Sequence, residues 1–125
     1  MFNGVEHTAI ASPDPERLAA WYQDTLEFRI VRVSGNKVFL RGANGSLVEI
    51  IPSSGPRGSN RRSDPGIRHL AIGVDAFDAA CDGLREQGVR FLNEPSTGPG
   101  NRIVFFEDPD GNILHLIQRL EPMPQ

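Results

Sequence analysis

Gly4 to Ser12 alternates weakly between polar and apolar positions and predicts a strand. Ser12 then precedes Pro13-Asp14-Pro15-Glu16, which has the marks of a helix entry: a hydroxyl or carboxylate cap, proline near the first turn, and acids at the positive end. Leu18, Trp21, Tyr22 and Leu26 follow at helical spacing and predict one buried stripe with both aromatics in the core. Phe28 to Val33 is β-rich, Ser34-Gly35-Asn36 is a turn, and Lys37 to Arg41 is a further strand. Asn44-Gly45 is a strong hairpin signal ahead of a strand at Leu47 to Ile51. Pro52 to Gly66 is rich in Pro, Gly and Ser and predicts a connector.

The plan then repeats. Ile67 to Val74 predicts a strand, and Asp75 starts a helix whose buried face is Phe77, Ala80, Cys81 and Leu84. Gly88 ends that helix, as a left-handed residue past a C-terminus does. A short strand at Val89 to Leu92, a loop at Glu94 to Gly100, a strand at Asn101 to Phe106, a tight turn at Asp108 to Asn112 and a last strand at Ile113 to Gln118 complete the second half. Glu121 to Gln125 is a tail. The order is β-α-β-β-β twice, and the halves align when His7 is placed on His69. Unit one spans about 4–53, the connector 54–66 and unit two about 67–119, within one domain over 1–125. Each unit alone leaves a sheet face bare, so two units are expected to pack together.

Composition narrows the function. The chain has 125 residues, within the range of one domain. Thirteen Lys and Arg against sixteen Asp and Glu give a net charge of −3, which argues against a nucleic-acid partner. No apolar run approaches the ~18 residues of a membrane span, and Met1 to Glu6 lacks the apolar segment of a secretory signal. Cys81 is the one cysteine, so an intrachain disulfide is excluded and a reducing, cytoplasmic setting is expected.

The three histidines, His7, His69 and His115, each fall near the middle of a predicted strand, and Glu49 falls near the middle of a fourth. They occupy corresponding places, on the first and last strands of each half. In Val48-Glu49-Ile50 the glutamate points away from its apolar neighbours, as His115 does between Leu114 and Leu116. His69 opposes Leu70 and Ile72, and His7 opposes Thr8 and Ile10. The apolar partners are expected under the helices and the four polar residues on the other face. If the halves curve toward each other, the four converge. Imidazoles with a carboxylate are ligands for Zn²⁺, Ni²⁺, Fe²⁺ or Mn²⁺, and a cation removes the cost of a buried glutamate.

At this point the chain resembles a known family. Glu6-His7-Thr8, Leu18 to Phe28, Arg68 to Ile72, and Glu107 to Leu116 with its DPDGN turn are similar to the vicinal oxygen chelate superfamily, which includes glyoxalase I, bleomycin resistance proteins and extradiol dioxygenases. The resemblance implies an α+β fold: two tandem β-α-β-β-β units forming curved, partly open mixed sheets with helices on the outer face. It places His7, Glu49, His69 and His115 at four metal-ligand positions, in one chain or shared across a homodimer. It implies a small-molecule substrate chelated on the metal, with Glu49 as the base of a lyase or isomerase. An Fe-dependent dioxygenase-like enzyme and a non-catalytic drug- or metabolite-binding resistance protein are the alternatives. Two positions depart from the family. His115 stands where a glutamate is usual, and Glu27 stands where a helix-ending glycine is usual.

Further residues carry weaker signals. Arg57, Arg61 and Arg62 crowd the connector, either as a grip for an anionic substrate or as a solvated run. Phe39 shares a face with Lys37 and Arg41 and is either a substrate-stacking ring or part of a solvent-facing surface. Cys81 lies on an apolar stripe and reads as inert core.

Overall fold

The computed structural model describes residues 1–125, which divide into two compact units, Met1–Pro56 and Arg57–Gln125. The first unit holds β1 (Thr8–Ser12), α1 (Pro15–Leu26), β2 (Arg29–Ser34), β3 (Lys37–Arg41) and β4 (Leu47–Pro52). The second holds β5 (Leu70–Gly73), α2 (Phe77–Glu86), β6 (Ser96–Gly98), β7 (Asn101–Glu107) and β8 (Ile113–Arg119). The repeat read from the sequence is therefore present. The sheets have the orders β1-β4-β3-β2 and β5-β8-β7-β6, and each is open and mixed. In each, the first strand lies parallel to the last, which lies antiparallel to its other neighbour. A parallel neighbour needs a crossover, and α1 and α2 begin those crossovers.

In the first unit Asp14 caps α1, its carboxylate accepting from the Arg17 N–H at 3.2 Å, while the Ser12 hydroxyl accepts from the Asp14 N–H at 3.0 Å. Leu18, Ala19 and Tyr22 form the buried stripe, and α1 packs on β3 and β4, whose Val38, Leu40, Val48 and Ile50 are buried too. Each buried Leu, Val or Ile side chain among them contributes about 1.5–3 kcal/mol by leaving water. Tyr22 is wholly buried and packs edge-on to Phe28, whereas Trp21 is only half-buried, so the two aromatics do not share one role. Glu27 ends the helix at φ 61°, the left-handed conformation that glycine adopts without strain.

In the second unit Ala76 occupies the N-cap of α2 without a side-chain cap. The missing acceptor comes from β8, where Gln118 Oε1 accepts from the Phe77 N–H at 3.0 Å. Phe77, Cys81 and Leu84 are buried, as are Val104, Phe106, Leu114 and Leu116 of the sheet. Arg85 stands one turn beyond Cys81, but burial outweighs it and pushes the thiol pKa up. The turn before β8 is organised by Asp108, which is nearly buried and accepts from the N–H groups of Asp110 and Asn112 at 2.9 and 3.0 Å.

Three segments differ from the sequence reading. β1 and β5 begin at Thr8 and Leu70, so His7 and His69 precede their strands instead of lying mid-strand. Their paired registers start at Thr8↔Val48 and Leu70↔Leu114, so each ladder stops one residue short of the first residue of its partner, Leu47 of β4 and Ile113 of β8. Val89 to Leu92 does not form a strand but a single bridge between Phe91 and Phe106. The Asn93 side chain accepts from the Phe105 N–H at 3.0 Å and so takes a donor that a continuing strand would use. The neighbour of β7 is instead Ser96–Gly98, drawn from the segment expected to be a loop.

Candidate functional site

In the first unit, Glu49 is the third residue of β4. Its backbone neighbours are Ala9 of β1 and Phe39 of β3. Val48 and Ile50 on either side of it are buried on the helix face, so the carboxylate stands on the opposite face. His7, just ahead of β1, turns Nε2 toward Glu49 Oε1 at 3.4 Å. Its Nδ1 lies 2.5 Å from Glu6 Oε1. A carboxylate on one imidazole nitrogen orients the ring and raises the basicity of the other, as the outer partner of a metal-binding histidine does. The Glu6 hydrogen bond is the main cause of a raised His7 pKa, opposed by partial desolvation and helped by Glu49.

The second unit repeats this arrangement. His115 is the third residue of β8, between Ala71 of β5 and Phe105 of β7. Leu114 and Leu116 are buried on the helix face. His69 comes just before β5, and its ring centroid lies 4.4 Å from that of His115. Phe105 stands in the second unit where Phe39 stands in the first. His7 meets Phe39 edge-on at 5.8 Å, and His69 meets Phe105 edge-on at 5.4 Å. Phe105 also stacks on His115 at 4.9 Å.

His115 is the deepest of the four, with 8% of its surface exposed. Burial, then the nearby His69 and Arg119, lowers its pKa to about 4. The ring is thus neutral near pH 7, which is the state a metal ligand requires. Its Nδ1 is buried and has no hydrogen-bond partner. An orphaned buried nitrogen is costly in a folded protein, and a donor atom awaiting a Lewis acid has that character. The donor types and this orphaned atom fit a divalent cation.

Structure therefore joins His7 with Glu49 and His69 with His115, as two pairs at equivalent positions of two repeats. Neither unit by itself gathers three or more His, Cys, Asp or Glu side chains in a metal-holding group. Two contributors escaped the sequence reading. Glu6 is adjacent to His7 in the chain, so its signal was present there. Phe105 is identified only by its register equivalence to Phe39. A cleft of about 470 Å³ beside Arg85, Phe91 and Glu94 contains none of the four residues.

Residues 4–116 match the family model of the glyoxalase/bleomycin resistance protein/dioxygenase superfamily. The chain belongs to this superfamily. Among its members, a lactoylglutathione lyase of Haemophilus influenzae is 31% identical over 121 residues, covering 90% of each chain. A glyoxalase/dioxygenase structure from Nostoc punctiforme superposes with a TM-score of 0.81 at 20% identity, covering 95% of this chain and 92% of that one. The fosfomycin resistance protein FosX of Listeria monocytogenes, solved with Mn(II) and sulfate, superposes with a TM-score of 0.73 at 18% identity, again covering 95% and 92%. These superpositions establish the shared superfamily fold. No helix of the chain is long and apolar enough to cross a membrane.

Proposed function

We propose that this superfamily member is a metal-dependent enzyme of the glyoxalase type, a lyase or isomerase acting on a small oxygenated substrate. His7, Glu49, His69 and His115 would hold one divalent ion, with the two pairs supplied by one chain or by two copies in a homodimer. The observation that carries this reading is the equivalence of the pairs, together with the partnerless Nδ1 of the buried His115. The lactoylglutathione lyase relative supports a lyase, and the FosX relative supports a divalent ion such as Mn²⁺.

The metal would supply Lewis-acid polarisation of a substrate carbonyl. The chain's own residues carry the proton. Glu49 has the one carboxylate of the four, and its side chain is 15% exposed, so an oxygen can reach substrate. It accepts the proton from the carbon next to the carbonyl and returns it to the neighbouring carbon. Glu6 holds His7 in place and keeps Nε2 directed at the site. His69 and His115 are packed against Phe105, an apolar ring that fixes where both imidazoles stand.

The test is elemental analysis and metal titration of protein purified without chelator or nickel affinity, beside His115→Ala and Glu49→Gln. One Zn, Ni, Fe or Mn per site, weakened in His115→Ala, is expected. Solvent deuterium exchange into lactoylglutathione follows the proton, and its loss in Glu49→Gln is expected. Full exchange in Glu49→Gln would remove the base assignment. Absence of metal after reconstitution would turn the reading toward a non-catalytic binding protein. Light scattering distinguishes a monomer from a homodimer.

A further inference from the structure

The connector contains three arginines, and the second unit's fold uses two of them. Arg57 donates to the Asp110 carbonyl at 3.1 Å and to Asn112 Oδ1 at 2.8 Å, tying the connector to the turn before β8. Arg61 donates through Nε to Asp64 Oδ1 at 3.1 Å. Asp64 also accepts from the Arg61 N–H at 2.7 Å and the Ser59 hydroxyl at 2.8 Å. Arg68 donates to the Arg61 carbonyl at 2.9 Å, and Asn60 donates to the Gly111 carbonyl at 2.8 Å. Residues 57–64 are therefore a tied segment.

Arg62 is placed differently. It is exposed and makes no ion pair, because the nearby Asp64 carboxylate is occupied by Ser59 and Arg61. Its guanidinium lies 4.6 Å above the Phe105 ring, and that ring touches both His69 and His115. No carboxylate or carbonyl accepts from its N–H groups, and a planar pair of guanidinium donors matches the two oxygens of a carboxylate or phosphate. A fixed cation beside two imidazoles with no counter-charge is suited to an incoming oxyanion.

The geometry points to Arg62 as a specificity-determining residue that receives the carboxylate or phosphate of an anionic carbonyl substrate. This names a substrate class for the site and rests on the function proposed above. The donor set agrees with it, since one carboxylate against a divalent ion leaves the centre cationic. The tied connector holds the arginine over the ring, so the anion sets how the substrate's carbonyl is presented to the imidazoles.

The test is NMR of metal-free protein titrated with pyruvate and with inorganic phosphate at constant ionic strength. Saturable shifts at the Arg62 side chain, Phe105 and His69 are expected. Arg62→Gln keeps the stem and removes the charge; it should weaken anion binding about tenfold or more, the worth of a charge-assisted hydrogen bond. Arg62→Lys should retain part of the affinity, and Arg85→Gln, on α2, should retain all of it. The tighter probe identifies carboxylate or phosphate as the preferred group. Non-saturable shifts, or equal affinity in Arg62→Gln, would overturn the inference. Metal titration of Arg62→Gln should match the native protein, so a failure of metal binding and a failure of anion recognition read out separately.

Discussion

The buried imidazole of His115 sets a measurable pH dependence in the metal-free protein. Its pKa falls from 6.5 to about 4 on folding. Between those values the unfolded chain binds a proton that the folded chain does not. Stability then rises with pH, so it is intact above about pH 6.5 and is lost progressively as pH falls toward 4. The slope is at most 1.4 kcal/mol per pH unit, which gives a loss of about 1–2 kcal/mol by pH 5. His7 runs the other way. Its raised pKa stabilises the fold below 6.5, and that contribution is lost as pH rises through the folded value. Asp64 and Asp78 are lowered by their hydrogen bonds, mainly those from the Arg61 backbone and the Arg102 side chain, so their contributions fade only near and below pH 3.8. The window between pH 6.5 and 4.5 therefore isolates His115. Urea unfolding followed by far-UV circular dichroism after chelator treatment would show the midpoint dropping by about 1 M from pH 6.5 to pH 5. His115→Leu, a buried apolar replacement, should flatten that drop. Parallel curves for the native protein and the variant would refute the placement of a neutral imidazole in the core.

Three further outcomes follow from other contacts. Glu6→Gln should weaken metal affinity about 10- to 100-fold by releasing His7 Nδ1, as measured by competition against a chromophoric chelator. Glu27→Gly should stabilise the fold by up to about 1 kcal/mol in urea unfolding, because glycine removes left-handed strain while loosening the unfolded chain. Gln118→Leu should cost about 1 kcal/mol by leaving the Phe77 N–H uncapped, with the loss seen first as faster amide exchange in the opening turn of α2.

The tandem plan was legible because its signals are local. Prolines and acids opened α1, Asn44-Gly45 turned a hairpin, and Asp108 to Asn112 turned another. Alternation around Glu49 and His115 assigned both to the face away from the helices, and the buried neighbours Val48, Ile50, Leu114 and Leu116 agree. The starts of β1 and β5 were less legible, because where a ladder begins depends on cross-strand hydrogen bonds and not on local residue type. The edge of the second sheet was misplaced for a related reason. Val89 to Leu92 has strand-like residues, yet the Asn93 side chain and the Phe105 N–H compete with that ladder.

Residue identity and order by themselves determined the repeated unit, the four donor types and the equivalence of their positions. The left-handed turn at Glu27, where the family resemblance implied a glycine, took the structure to show. Tertiary structure alone decided which charges were already taken. Three connector arginines look alike in sequence, but Arg57 and Arg61 satisfy groups within the second unit while Arg62 rests on Phe105. It also decided the state of His115, whose neutrality comes from burial among β5, β7 and β8. Periodicity reports which face a side chain occupies, whereas partner and protonation depend on atoms that distant segments bring to that face.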